Sequence, residues 1–182
     1  MEDARRQAVV LSLIEKLHHY GNWCGETHIQ KSLYFLQEML GIPTGFDFIL
    51  YKHGPFSFDL RDELGVMRAN MLIELHSKPY PYGPSHLPGD AAERLKELYP
   101  KTAKIYERQI DFIAEKLASL RVAELERLAT ALYVTLEEGR EKTVQARAIR
   151  INKLKPHVRI DEAQRAVEEV DSLMLQAKKM FN

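Results

Sequence analysis

The chain has 182 residues, a single cysteine and balanced charge, with 26 Lys plus Arg against 26 Asp plus Glu. A net charge of zero argues against a general polyanion binder, and the lone Cys24 excludes an intrachain disulfide and favours a reducing cytoplasm. The longest early apolar run, residues 9–14, is too short to span a membrane and lacks a signal-peptide cleavage site. We therefore expect a cytoplasmic protein without membrane attachment.

The first forty residues predict two helices. Apolar residues recur at helical spacing from Val10 to Leu17, which predicts an amphipathic helix over residues 4–19. Thr27 and Gln30 have the spacing of a capping box, so a second helix is expected from there until Gly41 and Pro43.

The next segment predicts a strand, a turn and a third helix. From Phe46 to Tyr51 the apolar residues alternate with period two, which is typical of a strand. Gly54-Pro55 is expected to end this strand, because proline lacks an N–H group for pairing. Ser57 can then cap a helix whose Leu60, Leu64 and Met67 form one stripe.

A second strand and a proline-rich segment follow. Residues 71–76 alternate again, and four prolines occur between Pro79 and Pro88. We predict an extended, solvent-facing loop or wing that displays Tyr80 and Tyr82.

After Gly89 the sequence is helical in pattern. Asp90 with Glu93 and Asp161 with Gln164 resemble capping boxes, and Pro100 and Pro156 mark helix ends. The apolar repeat Tyr106–Leu120 is a seam for packing along a neighbouring helix, either in the same chain or in a homodimer.

These elements predict a mainly α fold of the α+β type. Residues 1–88 would form a winged-helix-like part with a small β hairpin, because two helices, a strand, a helix and a hairpin follow one another. Residues 89–182 would form a C-terminal helical lobe packed against it, and the length of the chain predicts that the two parts form one compact unit.

The sequence also resembles a known family. The helix KSLYFLQEMLG (31–41), followed by a strand and Tyr51-Lys52-His53-Gly54-Pro55, resembles SocA-like antitoxin (Panacea) domains and a related group of uncharacterised bacterial and archaeal proteins. Residues 124–131 and 154–157 are similar to that same group. The resemblance implies a protein-interaction or regulatory module with no enzymatic activity and no cofactor.

Two surfaces are candidates for binding. A partner protein would contact the aromatic and histidine side chains around the Gly-Pro turn and in the wing, with core packing of the aromatics as the alternative. These residues are Tyr51, His53, Phe56, Phe58, Tyr80 and Tyr82.

The alternative function is a DNA-binding transcriptional regulator that uses the wing and the basic segment Arg140–Arg159. This segment has seven cations against Glu141 alone, and we place Arg147 and Arg150 on a helix face opposite the apolar stripe. Phosphate contacts would come from Arg147, Arg150, Lys153 and Lys155, whereas an ordinary solvated face paired with acidic residues elsewhere is the competing interpretation.

No catalytic or metal-binding motif is recognisable. The seven histidines lack the i, i+4 spacing of a zinc helix, and Cys24 near His28 lacks a placed base. We expect no catalytic residues and no metal site; a small hydrolase or nuclease would require histidine and carboxylate side chains that converge in one cleft.

Overall fold

The computed structural model describes residues 1–77 and 83–181. The fold is mainly α, with 67% helix and 8% strand, and it contains two small antiparallel hairpins. The expected fold class is therefore confirmed. The elements are α1 (Asp3–His19), α2 (Glu26–Tyr34) with a π-helical continuation (Phe35–Met39), β1 (Ile49–Tyr51), β2 (Gly54–Phe56), α3 (Phe58–Ala69), β3 (Ile73–His76), β4 (Ser85–Pro88), α4 (Ala92–Leu98), α5 (Pro100–Leu117), α6 (Val122–Glu138), α7 (Val144–Leu154) and α8 (Ile160–Phe181).

The chain divides into two compact units at a different place from the expected boundary near Gly89. The first unit contains Met1–Ile49 and Phe56–Leu120, and the second contains Leu50–Pro55 and the chain from Arg121 onward. Helices α4 and α5 join the first unit because both pack against α1.

The core of the first unit lies along α1. This helix contacts α2, α4 and α5, and its apolar side chains from Val9 to Leu17 are fully buried. The predicted α5 seam is occupied within the chain, since Ile110, Ile113 and Leu117 are buried in this unit. Burial of this kind supplies about 1.5–3 kcal/mol for each large aliphatic side chain.

The first hairpin corrects the prediction for the Gly-Pro turn. Side chains alternate as expected, with Phe46 buried and Asp47 exposed, but ladder pairing begins only at Ile49. Gly54-Pro55 does not end the strand pattern; it begins β2, which pairs with β1. A two-stranded ribbon leaves each strand with an unpaired edge, where proline is tolerated. Ser57 caps α3 as predicted, accepting from the Leu60 N–H at 3.2 Å.

The second hairpin pairs β3 with β4 in the register Ile73↔Pro88 to His76↔Ser85. After α1, α2 and α3 it follows the order of elements predicted for the N-terminal part, except that β1 is paired with β2. Its second strand is not the solvent-facing segment predicted from the prolines, because Ser85 and His86 are buried. The predicted display of Tyr80 and Tyr82 lies outside the described residues.

Three predicted capping boxes are wrong. Helix α2 begins at Glu26 after Gly25, α4 begins at Ala92, and α8 begins at Ile160, so Thr27, Asp90 and Asp161 do not cap them. Gln30 is fully buried instead: its amide accepts from the Ser57 N–H and donates to the Ser57 carbonyl.

The second unit is built on α6, α7 and α8, which contact one another. One side chain links all three helices. The guanidinium of Arg147 in α7 donates to Asp171 of α8 at 2.8 and 2.6 Å and to the Thr135 hydroxyl of α6 at 3.1 Å. A bidentate pair of this geometry fixes the orientation of the helices as well as contributing energy.

Candidate functional site

The tip of the first hairpin belongs to the second unit and is held there by a lysine. Lys155 is the first residue after α7, and its ammonium donates to the backbone carbonyls of Tyr51 and of Lys52, the latter at 2.7 Å. An ammonium has three donors, so it is well suited to bind two consecutive backbone carbonyls. The backbone of the tip is thereby fixed.

The side chains of the tip face solvent. Tyr51 has 52% of its surface exposed. His53 is exposed too, and its Nδ1 lies 3.4 Å from the Glu126 carboxylate of α6, a pair that is ionic when the imidazole is protonated. The predicted partner-binding residues Tyr51 and His53 thus lie together on an anchored turn.

A cleft of about 260 Å³ opens beside this tip. The tip contributes one wall, the N-terminal half of α6 a second, and the α7–α8 connection a third. The lining residues are Lys52, His53, Gly54, Ala123, Glu126, Arg127, Thr130, Lys155, His157, Val158 and Glu162. We call this the tip cleft.

The charges of the tip cleft are unevenly compensated. Glu126 faces His53, and Glu162 lies 3.7 Å from the guanidinium of Arg127. Lys155 has no such carboxylate partner within 4 Å among residues 1–77 and 83–181. Burial lowers the pKa of the Lys155 ammonium, and the more distant Glu126 opposes this only in part. A partly desolvated positive charge therefore lines the cleft.

The other described aromatics of the predicted contact surface belong to the first unit. Phe56 is half-buried and Phe58 is 37% exposed, with their rings in edge contact at 5.1 Å. The Arg61 guanidinium lies 5.0 Å from the Phe58 ring centroid, and the buried Lys31 ammonium lies 6.0 Å from that of Phe56. These two rings thus contribute to packing within that unit.

The basic segment is different from its sequence-based interpretation. Arg147 was expected on an exposed helix face, and this is wrong: only 3% of its side chain is exposed. A helix that contacts two others has a wide buried arc, and the residue at position 147 falls inside it. Its charge is neutralised by Asp171 rather than offered to phosphate.

Three of the six remaining cations of that segment, Arg150, Lys155 and Arg159, are engaged by other groups. Arg150 pairs with Glu137 at 3.2 Å and with Glu138 at 3.4 Å, as the solvated-face interpretation expects. Lys155 holds the hairpin tip, and Lys153 is exposed. DNA binding through the wing and this segment stays a prediction, without a specific structural observation that favours it.

The candidate nucleophile and its neighbouring histidines are buried structural groups. Cys24 is fully buried, and burial raises the pKa of its thiol to about 12. Burial also lowers the pKa of His28, whose Nε2 lies 2.9 Å from the Leu120 carbonyl, and of His86. Within the described residues no group of three His, Cys, Asp or Glu side chains could hold a metal ion.

The tip cleft meets one condition that we set for a hydrolase. It places His53 and His157 on the same cleft as Glu126 and Glu162. The hydroxyl that lines it, that of Thr130, donates to the Glu126 carbonyl at 2.8 Å and is buried. Glu126 faces His53 and Glu162 faces Arg127, whereas Lys155 has no carboxylate partner among the described residues, and this charge pattern suits the binding of a ligand.

Several cleft residues were missed from the sequence. Glu126, Arg127, His157 and Glu162 are separated from the tip by more than 70 residues. One sequence signal could have pointed to the cleft. Residues 124–131 and 154–157 carry part of the resemblance described above, and both segments contribute residues to the cleft lining.

The comparisons assign no family. No protein-family model matches the chain, and a search of curated proteins finds no significant match. In the parts of the chain that the structure describes, no helix has both the length and the apolar character needed to cross a membrane.

Proposed function

We propose that this chain is a non-enzymatic regulatory module of the cytoplasm that binds a partner protein through the anchored hairpin tip. The observation that carries the proposal is Tyr51, half-exposed on a backbone that Lys155 fixes at two consecutive carbonyls. The resemblance of residues 31–55 to Panacea domains supports an interaction role, and the single cysteine supports a reducing compartment.

Exposed tyrosine on a rigid turn is well suited to recognition. A tyrosine ring brings a large contact area with few rotatable bonds, so little side-chain entropy is lost when it is covered. The fixed backbone lowers the cost of binding further, because the turn does not have to be ordered by the partner. Tyrosine is also among the residues enriched at the energetic centres of interfaces.

Quantitative pull-down with the full chain tests the proposal. Tyr51→Ala should reduce recovery of specific partners by about tenfold or more, since truncation at an interface centre costs about 2 kcal/mol. Leu175→Ala is the matched control, because Leu175 is exposed to a similar degree (49%) on α8 of the same unit.

One outcome of the pull-down would contradict the proposal. Partner recovery that is equal for the native chain, Tyr51→Ala and Leu175→Ala would remove the tip as the contact surface. Circular dichroism and unfolding curves of both variants should match the native chain, which separates loss of contact from loss of fold.

A further inference from the structure

The tip cleft contains a positive charge that the rest of the unit leaves uncompensated. An ammonium has three N–H donors, and Lys155 uses two of them on the carbonyls of Tyr51 and Lys52. Within the described residues, no further hydrogen bond or ion pair involves its third donor. A partly buried cation of this kind gains most from a bound anion.

The charge count of the cleft indicates which anion fits. Its lining has three cationic side chains, those of Lys52, Arg127 and Lys155, against the two carboxylates of Glu126 and Glu162. With the histidines neutral the lining is one positive charge in excess. A monoanion balances this excess, whereas a dianionic phosphate would overshoot it and be repelled by both carboxylates.

We propose that the tip cleft is a carboxylate-binding subsite that receives an acidic side chain, Asp or Glu, of the partner protein. The carboxylate accepts the free N–H of Lys155 and a second donor from Lys52 or His157, which line the same cleft. This inference rests on the proposed function, because the carboxylate belongs to the partner that the hairpin tip contacts.

The subsite can be tested without the partner. The probes are N-acetyl-glutamate methylamide and its neutral isostere N-acetyl-glutamine methylamide, titrated at pH 7.5 into the ¹⁵N-labelled full chain at constant ionic strength. The glutamate probe should shift the backbone amides of Lys52, His53, Lys155 and His157 saturably, with a Kd on the order of 10 mM. The glutamine probe should bind at least fivefold more weakly.

Matched variants assign the effect to the ammonium. Lys155→Met should weaken binding of the glutamate probe at least fivefold, and Lys153→Met, an exposed lysine two residues earlier that does not line the cleft, should change it less than twofold. Because Lys155→Met also removes the carbonyl contacts, Lys52→Met serves as a second variant that leaves them in place. It should weaken binding about twofold to threefold.

Three results would overturn the inference. Equal shifts from the charged and neutral probes would show that no carboxylate is recognised, and equal binding by Lys155→Met and Lys153→Met would remove Lys155. Tighter binding of inorganic phosphate, or of N-acetyl-alanine with its chain-terminal carboxylate, would assign a different ligand. Since no partner is present, these outcomes are independent of the pull-down with Tyr51→Ala.

Discussion

The two hairpins are alike in size and differ in what holds them. In the β3–β4 hairpin one backbone and one side-chain hydrogen bond hold the second strand: the His86 N–H donates to the Cys24 carbonyl at 3.0 Å, and the Ser85 hydroxyl donates to the Trp23 carbonyl at 2.5 Å. In the β1–β2 hairpin the tip is held by one lysine side chain. An isolated two-stranded hairpin is marginal in water, so each depends on such contacts.

The difference shows that the side chains of one hairpin serve stability, whereas those at the tip of the other are available for recognition. The buried polar side chains of strand β4 make their hydrogen bonds within the first unit, so they are not accessible to a ligand. At the tip of β1–β2 the Lys155 ammonium binds the Tyr51 and Lys52 carbonyls, and the side chains of Tyr51 and His53 remain exposed. A side-chain anchor of this kind fixes the backbone without covering the surface.

The largest expected effect is a loss of stability when a side chain is added at Gly89, beside the buried β3–β4 hairpin. A Cβ at Gly89 would lie closer than van der Waals contact to the carbonyl oxygen of Met71 and 3.2 Å from the carbonyl carbon of Ile73. Gly89→Ala should therefore lower the free energy of unfolding by about 2–3 kcal/mol, as overpacking does. Denaturant unfolding measures it.

Gly83→Ala, at a glycine shortly before β4, is the control. Its Cβ would meet nothing within 4 Å, so the change in stability should stay within about 0.5 kcal/mol. Equal effects of the two substitutions would contradict the tight seating of β4.

An intermediate effect is expected in the pH dependence of the free energy of unfolding, where a histidine of the buried hairpin should contribute. Burial lowers the pKa of His86 below its unfolded value of about 6.5, so the unfolded chain binds more protons near that pH. The stability contributed by neutral His86 is complete above pH 6.5 and is lost as the pH falls from there through the lower folded pKa. Unfolding free energies measured from pH 7.5 to 5 should decline less steeply in His86→Gln than in the native chain.

The exposed histidine of the other hairpin provides the comparison. His53 has 62% of its side chain exposed, so His53→Gln removes an exposed histidine and is the control for the loss of the buried one in His86→Gln. A slope that flattens equally in both variants would mean that burial in β4 is not its cause.

The smallest expected effect is local. Lys155→Met removes the donors to the Tyr51 and Lys52 carbonyls, which should raise amide hydrogen exchange in residues 50–54 about fivefold, equivalent to roughly 1 kcal/mol of local opening. Global stability should change by less than about 0.5 kcal/mol, because the ammonium is only partly buried. Native exchange rates at the tip in Lys155→Met would show that the lysine does not anchor it; Lys153→Met is the matched control.

Local periodicity predicted much of the fold because the core follows it. The stripes of α1, α3 and α5 are buried as their 3.6-residue spacing requires, and Gly139 ends α6 with a φ of 86°. Caps were less predictable. Thr27 has the right spacing to Gln30, but Gln30 is buried and its amide binds the Ser57 backbone, so a tertiary contact replaces the local one.

The candidate site was only partly predictable, for a different reason. Tyr51 and His53 could be proposed from the turn because both lie in one short segment. The cleft beside them depends on which helices reach the tip, and that is set by packing among α6, α7 and α8. Charge counting along the chain also misjudged Arg147, since it counts a cation without showing that Asp171, 24 residues later, neutralises it.

The burial of Cys24 has a practical consequence. A thiol with a pKa of about 12 has roughly one thiolate in ten thousand at pH 8, and this one is also shielded from reagents. Because Cys24 is the only cysteine in the chain, alkylation of a thiol reports opening of the interior of the first unit. The rate of Cys24 alkylation, followed by mass spectrometry, therefore measures the opening of the first unit in the native protein without any engineered label.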